Sequence, residues 1–444
     1  MTKKNLTKLF HQIQIFALSL IFINPLSATS ISDFYNYKKT AQEKKIDLAV
    51  NNYIASLSLS QKISQIFLVN IEGNKNYSPI EDSSKIPQCE YETEALVPGG
   101  MLLFSYNIGE SPRQMMEFID SIKIYCEKNN ICPPYIATDQ EGGIVNRLYP
   151  LTTYLPSNKK IAQFLSPQDA LKFYEFQAEQ MQLLGFNMNL APVCESLLPS
   201  NLEFLGSRSY GSAEKAIVYS SLAVKAYENK KIAAVLKHFP GNSNVDPHSS
   251  LPEISANPQE AQKFYLMPFS MILLSNPEAV LMSHAKTSFL DPNTPSCFSN
   301  EWIENILRKK MNFKGLVISD DIFMAALAKN GFAPETAAIK AIEAGVNIIM
   351  LSEKTYSLAA KNLISFAEQN LEFKSKLLTS IKKVIKFKLD YGILSLQKDD
   401  KGNYFVKNPE FAQDLDERLE KFTNIKSKAD SFYTNKFIFN EAKK

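Results

Sequence analysis

The sequence carries almost no net charge, and this argues against a polyanionic partner. Its 444 residues include 49 lysines and arginines against 46 aspartates and glutamates. Three of those lysines, Lys3, Lys4 and Lys8, lie close to the N-terminus, so the rest of the chain is balanced. A nucleic-acid-binding protein normally shows a basic stripe or patch, because phosphate contacts dominate its affinity. We therefore expect no nucleic-acid partner.

Cysteine is scarce, and its distribution excludes two common uses of it. The five cysteines are Cys89, Cys126, Cys132, Cys194 and Cys297. An odd number at irregular spacing indicates neither a metal site nor a disulfide framework, and a chain of this length folds without such cross-links. Cys126 and Cys132 could pair in an oxidising compartment, but buried free thiols explain them equally well.

Long apolar runs are missing, apart from residues 13–23. This run follows a basic start and precedes Pro25 and the small residues Ser27 and Ala28. The arrangement is typical of a secretory signal peptide, which we place at residues 1–28. The run is short for a membrane span, so an uncleaved anchor helix is the less favoured alternative. We expect export to the periplasm or the extracellular space, without stable membrane insertion after cleavage.

Eight short apolar runs alternate with amphipathic segments along most of the chain. The runs are 65–70, 101–104, 135–138, 187–191, 233–237, 279–283, 316–319 and 347–351. Runs that are apolar on both faces are typical of parallel strands in a covered sheet. Ser111, Ser166 and Asn257 each precede a proline and predict helix starts, and Gly345 predicts a helix end. We predict an α/β fold, a (β/α)8 barrel of the TIM type, with a doubly wound sheet as the alternative.

The predicted barrel is a single domain over residues 46–393. This length is large for the fold, so its loops must hold insertions, most obviously at 71–97 and 148–165. Residues 394–444 are charged, poor in glycine and predicted to be helical. This extension is too short to form a second domain of its own.

Histidine is rare, and its positions point to a site. Beyond the N-terminal segment there are three histidines, His238, His248 and His284. Two directly follow predicted strands, and His248 lies on the loop after the fifth. A single histidine is more often a hydrogen-bonded core residue, but barrel active sites form at the carboxyl ends of the strands. The three together therefore favour a site.

Seven short motifs follow these strands in a fixed order. They are Asp-Gln-Glu-Gly-Gly (139–143), Ala-Pro-Val (191–193), Arg-Ser-Tyr-Gly (208–211), Lys-His-Phe-Pro-Gly (237–241), Asp-Pro-His (246–248), Ser-His (283–284) and Ser-Asp-Asp (319–321). The set resembles glycoside hydrolase family 3, and within it the bacterial β-N-acetylglucosaminidases, over roughly residues 58–352. The resemblance implies that residues 46–393 are a catalytic domain. It also implies a retaining exo-glycosidase that removes terminal β-linked N-acetylglucosamine from peptidoglycan fragments or chitin-type oligosaccharides.

The resemblance also implies the catalytic residues. Asp320 matches the nucleophile of a retaining mechanism. Asp246 and His248 match an acid/base dyad, in which the carboxylate fixes the imidazole tautomer. The alternatives are a helix-capping role for Asp320, which Asp321 serves at least as well, and a plain surface turn for Asp-Pro-His.

Five further positions match residues that bind the hydroxyls of the terminal sugar: Asp139, Arg147, Arg208, Lys237 and His238. Charged groups make strong hydrogen bonds to hydroxyls, and arginine, of which the chain has five, offers planar forked donors. His284 is expected beside the site in a supporting or purely structural role. The resemblance implies a carbohydrate substrate. We expect neither metal nor cofactor, because the histidines and carboxylates lie on different loops without ligand-type spacing and glycoside hydrolysis needs neither. We also expect a monomer.

Some residues depart from the family pattern. Gly241-Asn242-Ser243 stands where Gly-His-Gly is usual, Pro247 separates the dyad, and Glu195 follows Ala-Pro-Val-Cys where aspartate is common. None of these changes removes a named catalytic group. Two other functions stay open: phosphorolysis, because a histidine acid/base carries no fixed negative charge to repel phosphate, and glycan binding with weakened catalysis.

Overall fold

A computed structural model describes residues 41–89, 93–246, 250–410 and 414–438. The expected signal peptide and His248 lie outside these ranges. The chain divides at Leu48, and Ala49 begins one compact unit. The α-helices are α1 Ala41–Ser56, α2 Leu59–Ser64, α3 Pro112–Lys128, α4 Asn158–Phe164, α5 Pro167–Leu184, α6 Leu202–Leu205, α7 Ala213–Asn229, α8 Pro258–Glu260, α9 Met267–Ile272, α10 Ala325–Lys329, α11 Pro334–Ala344, α12 Ser357–Gln369, α13 Leu371–Asp390 and α14 Leu415–Tyr433. Ala261–Leu266, Glu301–Lys310 and Thr434–Ile438 are π-helical.

Eight parallel strands form the central sheet, one from each of the predicted apolar runs. They are β1 Phe67–Asn70, β2 Gly100–Leu102, β3 Tyr135–Thr138, β4 Met188–Asn189, β5 Ala233–Phe239, β6 Ala279–Met282, β7 Leu316–Ile318 and β8 Ile349–Leu351. Neighbours in the chain are neighbours in the sheet from β1 to β7, and β8 pairs with β1. A parallel bridge between Ile318 and Ile348 joins β7 to the start of β8. The ring therefore closes, and the predicted (β/α)8 barrel is confirmed.

The barrel interior is filled by alternate residues of each strand. These buried side chains include Leu68, Leu102, Tyr135, Ala137, Met188, Leu190, Ala233, Val235, Ala279, Leu281, Leu316, Ile318, Ile348 and Met350. Val384 and Phe387 of α13 pack against the same cluster. The spacing of two follows from the strand pleat, which sends successive side chains to opposite faces.

The three helix starts and the helix end predicted from the sequence are present in the structure. The hydroxyl oxygens of Ser111 and Ser166 accept the N–H groups of Gln114 and Asp169, each with proline at the first helical position. Asn257 caps α8 in the same way and forms a capping box with Glu260. Gly345 ends α11 with a φ of 110°, a conformation that favours glycine.

The C-terminal extension differs from the expected helical segment. It begins with an antiparallel hairpin of β9 Ser395–Lys398 and β10 Tyr404–Lys407, and the helix α14 follows. Asp399 forms the turn by accepting the N–H groups of Lys401 and Asn403. α14 packs on α5, where Phe432 stacks against Phe173 with ring centroids 6.0 Å apart.

Candidate active site

The inward-facing positions of three strands continue into charged side chains at the carboxyl end of the barrel. Each of these three residues lies two positions after a residue of the interior core: Asp139 after Ala137, Lys237 after Val235, and Asp320 after Ile318. The pleat thus directs all three toward the same mouth. Lys237 confirms the convergence, because its Nζ lies 2.6 Å from Asp139 Oδ1.

A buried ion network joins the loops after β3 and β4 to strand β5. Lys237 Nζ lies 2.6 Å from Glu141 Oε1. Arg208 donates to the same carboxylate in a fork, from Nε to Oε2 at 2.8 Å and from Nη2 to Oε1 at 2.9 Å. With Asp139, the network holds two positive and two negative charges. Two of the three guanidinium nitrogens of Arg208, expected to bind sugar directly, are therefore occupied by Glu141.

The network keeps its members charged. Burial would raise the pKa of the Glu141 carboxyl, but Lys237 and Arg208 outweigh burial and hold this pKa well below its usual range. Burial would lower the pKa of the Lys237 ammonium, but Asp139 and Glu141 raise it instead. The mouth of the barrel therefore offers charged donors and acceptors already fixed in place.

His238 is held by Glu195, a residue that follows β4. The ring Nδ1 of His238 lies 2.8 Å from Glu195 Oε1, and its backbone N–H donates to the same oxygen at 3.2 Å. Asn242 Nδ2 donates there as well, at 3.2 Å. Because a carboxylate oxygen only accepts, Nδ1 carries the proton, and Nε2 is left as the ring nitrogen available to a ligand.

Asp320 is buried and only lightly engaged. Among the described residues, its carboxylate accepts one hydrogen bond, from the Asp321 N–H to Oδ1 at 2.9 Å. Asp321 Oδ1 accepts from the Phe323 N–H at 3.0 Å and so takes the local turn-forming role. Asp321 thus serves the backbone of a turn, and the following helix α10 has no side-chain N-cap, while the Asp320 carboxylate keeps acceptor capacity for a ligand.

His284 contacts the backbone of the Asp320-Asp321 segment. Its ring is fully buried, with Nε2 3.0 Å from the Asp321 carbonyl oxygen and Nδ1 3.2 Å from Cys297 Sγ. A carbonyl only accepts, so Nε2 donates, and Nδ1 accepts from the thiol. Burial raises the pKa of Cys297 well above its usual value and keeps that thiol protonated. Both ring nitrogens are thus engaged, and His284 positions the residue next to Asp320.

Arg147 retains donors for a ligand. Its Nη1 lies 3.5 Å from Ser105 Oγ, and its guanidinium lies 5.9 Å from the ring centre of Phe104. Its Nε is buried and has no partner among the described residues. The long Nη1 contact to Ser105 leaves the outer edge of the guanidinium available to a ligand.

The loop of the expected dyad is described only in part. Asp246 is exposed, and its carbonyl oxygen accepts the Ser250 N–H at 3.1 Å. His248 lies outside the described residues, so its position relative to Asp320 stays a prediction. Strand β5 runs to Phe239. Lys237 lies within it, as the predicted run 233–237 requires, and His238, which was expected directly after the strand, also lies within it.

Two charged residues of the site were missed in the sequence. Glu141 lies in the Asp-Gln-Glu-Gly-Gly motif but was not assigned a role, and Glu195 was noted only as a departure. Glu141 holds Arg208 and Glu195 holds His238. Both Arg208 and His238 were predicted to bind the sugar. A glutamate inside a strand-end motif was the available signal, since a buried cation requires a counter-charge.

The described residues contain no cluster of histidine, cysteine, aspartate and glutamate suited to a metal ion. Within the same ranges, no helix is both long enough and apolar enough to cross a membrane.

Comparisons with known proteins agree with the barrel fold and place the chain in a family. Residues 58–387 match the model of the glycosyl hydrolase family 3 N terminal domain. A β-hexosaminidase of Methylococcus capsulatus is 31% identical over 263 residues, which cover 57% of this chain and 75% of that protein. A family 3 β-N-acetylglucosaminidase structure from a Paenibacillus species superposes with a TM-score of 0.65 at 23% identity, covering 84% of this chain and 69% of that one. A fungal multi-domain family 3 β-N-acetylglucosaminidase gives a TM-score of 0.68 at 25% identity, and this chain spans 43% of its length.

Proposed function

Since this chain belongs to glycosyl hydrolase family 3, we propose that it is a retaining exo-glycosidase that removes terminal β-linked N-acetylglucosamine. The related β-hexosaminidases and β-N-acetylglucosaminidases support this substrate class. Peptidoglycan fragments and chitin-type oligosaccharides both present such a sugar at their ends.

The observation that carries the proposal is the state of Asp320. It continues the inward face of β7 and is buried, and its carboxylate accepts a single hydrogen bond from within the described chain. A nucleophilic carboxylate needs an oxygen with an available lone pair at the point where the anomeric carbon arrives. Asp139 and Glu141, by contrast, are committed to Lys237.

The proposed reaction has two steps. An oxygen of Asp320 attacks the anomeric carbon while His248 gives a proton to the departing glycosidic oxygen, so one C–O bond forms as another breaks. Water then attacks the glycosyl-enzyme, His248 takes the proton from that water, and the Asp320 ester bond breaks. Two inversions return the sugar in its original β configuration. Asp246 would hold the imidazole of His248 in the tautomer that each step needs.

The charged network would bind the terminal sugar. Asp139 and Lys237 present one acceptor and one donor at the mouth, His238 presents Nε2, and Arg147 presents the outer edge of its guanidinium. Charged groups that are already oriented lose little entropy on binding. Glu141 and Arg208 would act by keeping Lys237 in position.

The location of the protein forms part of the proposal. The basic start, the apolar run and the small residues at 27 and 28 favour export, where peptidoglycan fragments or external oligosaccharides are accessible. We further propose that the enzyme acts as a monomer, because the charged network comes from a single barrel.

Release of p-nitrophenol from its β-N-acetylglucosaminide tests the activity. The wild type should turn over, Asp320→Asn should lose nearly all activity, and the matched neighbour Asp321→Asn should keep much of it, because an asparagine oxygen still accepts the Phe323 N–H. Equal rates for wild type and Asp320→Asn would overturn the proposal. Product analysis in phosphate buffer separates hydrolysis, which yields free N-acetylglucosamine, from phosphorolysis, which yields the sugar 1-phosphate.

A further inference from the structure

Three tyrosines form an aromatic ladder beside the proposed site. Tyr149 and Tyr154 meet edge to face with ring centroids 5.4 Å apart, and Tyr154 meets Tyr433 in the same way at 6.0 Å. Tyr149 is 55% exposed and Tyr154 is 36% exposed. Tyr149 and Tyr154 belong to the insertion after β3, and Tyr433 closes α14. We call Tyr149, Tyr154 and Tyr433 the tyrosine ladder.

The ladder is attached directly to the mouth of the barrel. Tyr149 lies two residues after Arg147, whose outer guanidinium edge is available to a ligand. Tyr154 precedes Leu155, whose carbonyl oxygen accepts the Gly143 N–H at 2.8 Å, within the motif that carries Asp139 and Glu141. Asn158, further along the insertion, donates from Nδ2 to the Arg208 carbonyl oxygen at 2.7 Å. The insertion is thus tied to two loops of the site.

The rings are held in place and do not depend on a ligand for order. Between Tyr149 and Tyr154, Thr153 donates its N–H to Gln180 Oε1 at 2.9 Å and its hydroxyl to Asp430 Oδ1 at 2.7 Å. Its carbonyl oxygen accepts from Gln177 Nε2 at 2.9 Å. Tyr433 stacks on Phe437 with ring centroids 5.4 Å apart. Tyrosine rings that are partly exposed and already fixed in position lose little conformational entropy when they contact a ligand.

We propose that the tyrosine ladder binds the part of the glycan beyond the terminal sugar. A sugar ring has an apolar C–H face and polar hydroxyl edges, and tyrosine matches both with an apolar ring and a hydroxyl. The ladder begins two residues after Arg147 and continues through Tyr154 to Tyr433, so we infer that a chain whose terminal sugar occupies the mouth extends over it. This inference rests on the proposed function, and it gives the C-terminal helix α14 a part in selecting oligosaccharides over short substrates.

Substrate length supplies the test. In the full chain, Tyr149→Ala and Tyr154→Ala should each lower kcat/KM for the tetrasaccharide of β-1,4-N-acetylglucosamine by about fivefold. The same variants should leave kcat/KM for the p-nitrophenyl monosaccharide within about twofold of wild type. Phe405→Ala is the matched control, because Phe405 is 39% exposed on the hairpin and should change neither value. Binding of the tetrasaccharide to Asp320→Asn, measured by calorimetry, should weaken on adding Tyr154→Ala, and this readout does not require turnover.

The possible results test the tyrosine ladder and the proposed function separately. Absence of wild-type turnover on both substrates would overturn the proposed function. Normal wild-type turnover with equal losses on both substrates, or with no loss on either, would overturn the ladder alone. A change of solution mass in the tyrosine variants without a length-dependent loss would assign the ladder to contact with a second copy, and would also overturn it.

Discussion

Glu195 Oε1 accepts two hydrogen bonds from His238, one from the ring Nδ1 at 2.8 Å and one from the backbone N–H at 3.2 Å. One oxygen thus fixes the position and the tautomer of the imidazole, while Asn242 donates to it from the loop beyond. The second oxygen, Oε2, is buried without a partner among the described residues. This arrangement makes Glu195 a positioning residue for His238.

Replacing Glu195 tests that role. Glu195→Gln keeps an acceptor oxygen but removes the negative charge that anchors the Nδ1–H of His238, and this should lower kcat/KM by roughly tenfold, mainly through KM. Glu195→Asp keeps the carboxylate and should recover part of the loss. Measuring kcat and KM separately, alongside the melting temperature, distinguishes positioning from loss of fold. If Glu195→Asp were as impaired as Glu195→Gln, charge at this position would not explain the effect.

Lys237 should be essential for folding stability as well as for the site. It neutralises Asp139 and Glu141 in a buried setting, where its side chain is 4% exposed. Lys237→Met would leave Glu141 paired with Arg208 alone and Asp139 without its cation, at a cost of about 3–5 kcal/mol in unfolding free energy. Urea denaturation measures this. A Lys237→Met/Asp139→Asn double variant should regain part of the stability, and strict additivity of the two changes would contradict the coupling.

Glu278 lies at the end of the barrel opposite the site and should make folding stability depend on pH. Burial, together with the charges of Glu228 and Asp390, raises the pKa of Glu278 from 4.5 to about 8. The folded state then holds a proton that the unfolded chain releases, so this contribution to stability is complete below about pH 4.5 and is lost as pH rises through about 8. Tyr391 donates to Glu228 and lies 3.5 Å from Glu278.

Glu278→Gln keeps the side-chain shape and removes the titration. The melting temperature of the wild type should fall more steeply between about pH 5 and pH 8 than that of the variant, and the two curves should run parallel above that range. Scanning calorimetry across that range checks the slope. Parallel curves for the two proteins would show that Glu278 titrates normally.

The cysteines should behave as five buried thiols. All five are free and buried in the structure, and Cys132 lies among Gln65 and Lys388. We expect a thiol reagent to leave the native protein almost unmodified and to titrate five thiols after unfolding without reductant. Two missing thiols would indicate a disulfide, with Cys126 and Cys132 as the pair to examine.

Much of the fold follows from local patterns in the sequence. The eight strands were predictable because both faces of each are covered by apolar neighbours, and helix starts such as Ser111 and Ser166 are set by hydrogen bonds within one turn. The C-terminal hairpin was missed because β9 carries serine, glutamine and lysine with little apolar alternation, although the Tyr404-Phe405-Val406 run of β10 favours a strand. Its signal was the turn around Asp399 and Gly402.

The site was predictable to the extent that it lies at strand ends. Asp139, Lys237 and Asp320 continue the interior positions, so strand periodicity alone directs them to one mouth. The pairing of Arg208 with Glu141 was not predictable in this way. It joins two loops separated by 67 residues, and only the folded backbone decides which carboxylate faces which cation.

The central claim is that Asp320 forms the bond to the sugar, and covalent trapping measures it most directly. A ring-fluorinated N-acetylglucosaminyl fluoride should accumulate as a glycosyl-enzyme, because the ring fluorine slows both steps while the reactive fluoride leaving group keeps formation of the intermediate faster than its hydrolysis. Digestion and mass spectrometry should then find the added mass on the peptide that contains Asp320, and on no peptide of Asp320→Asn. Label on another carboxylate, or steady turnover of the wild type with no trapped species, would contradict the account.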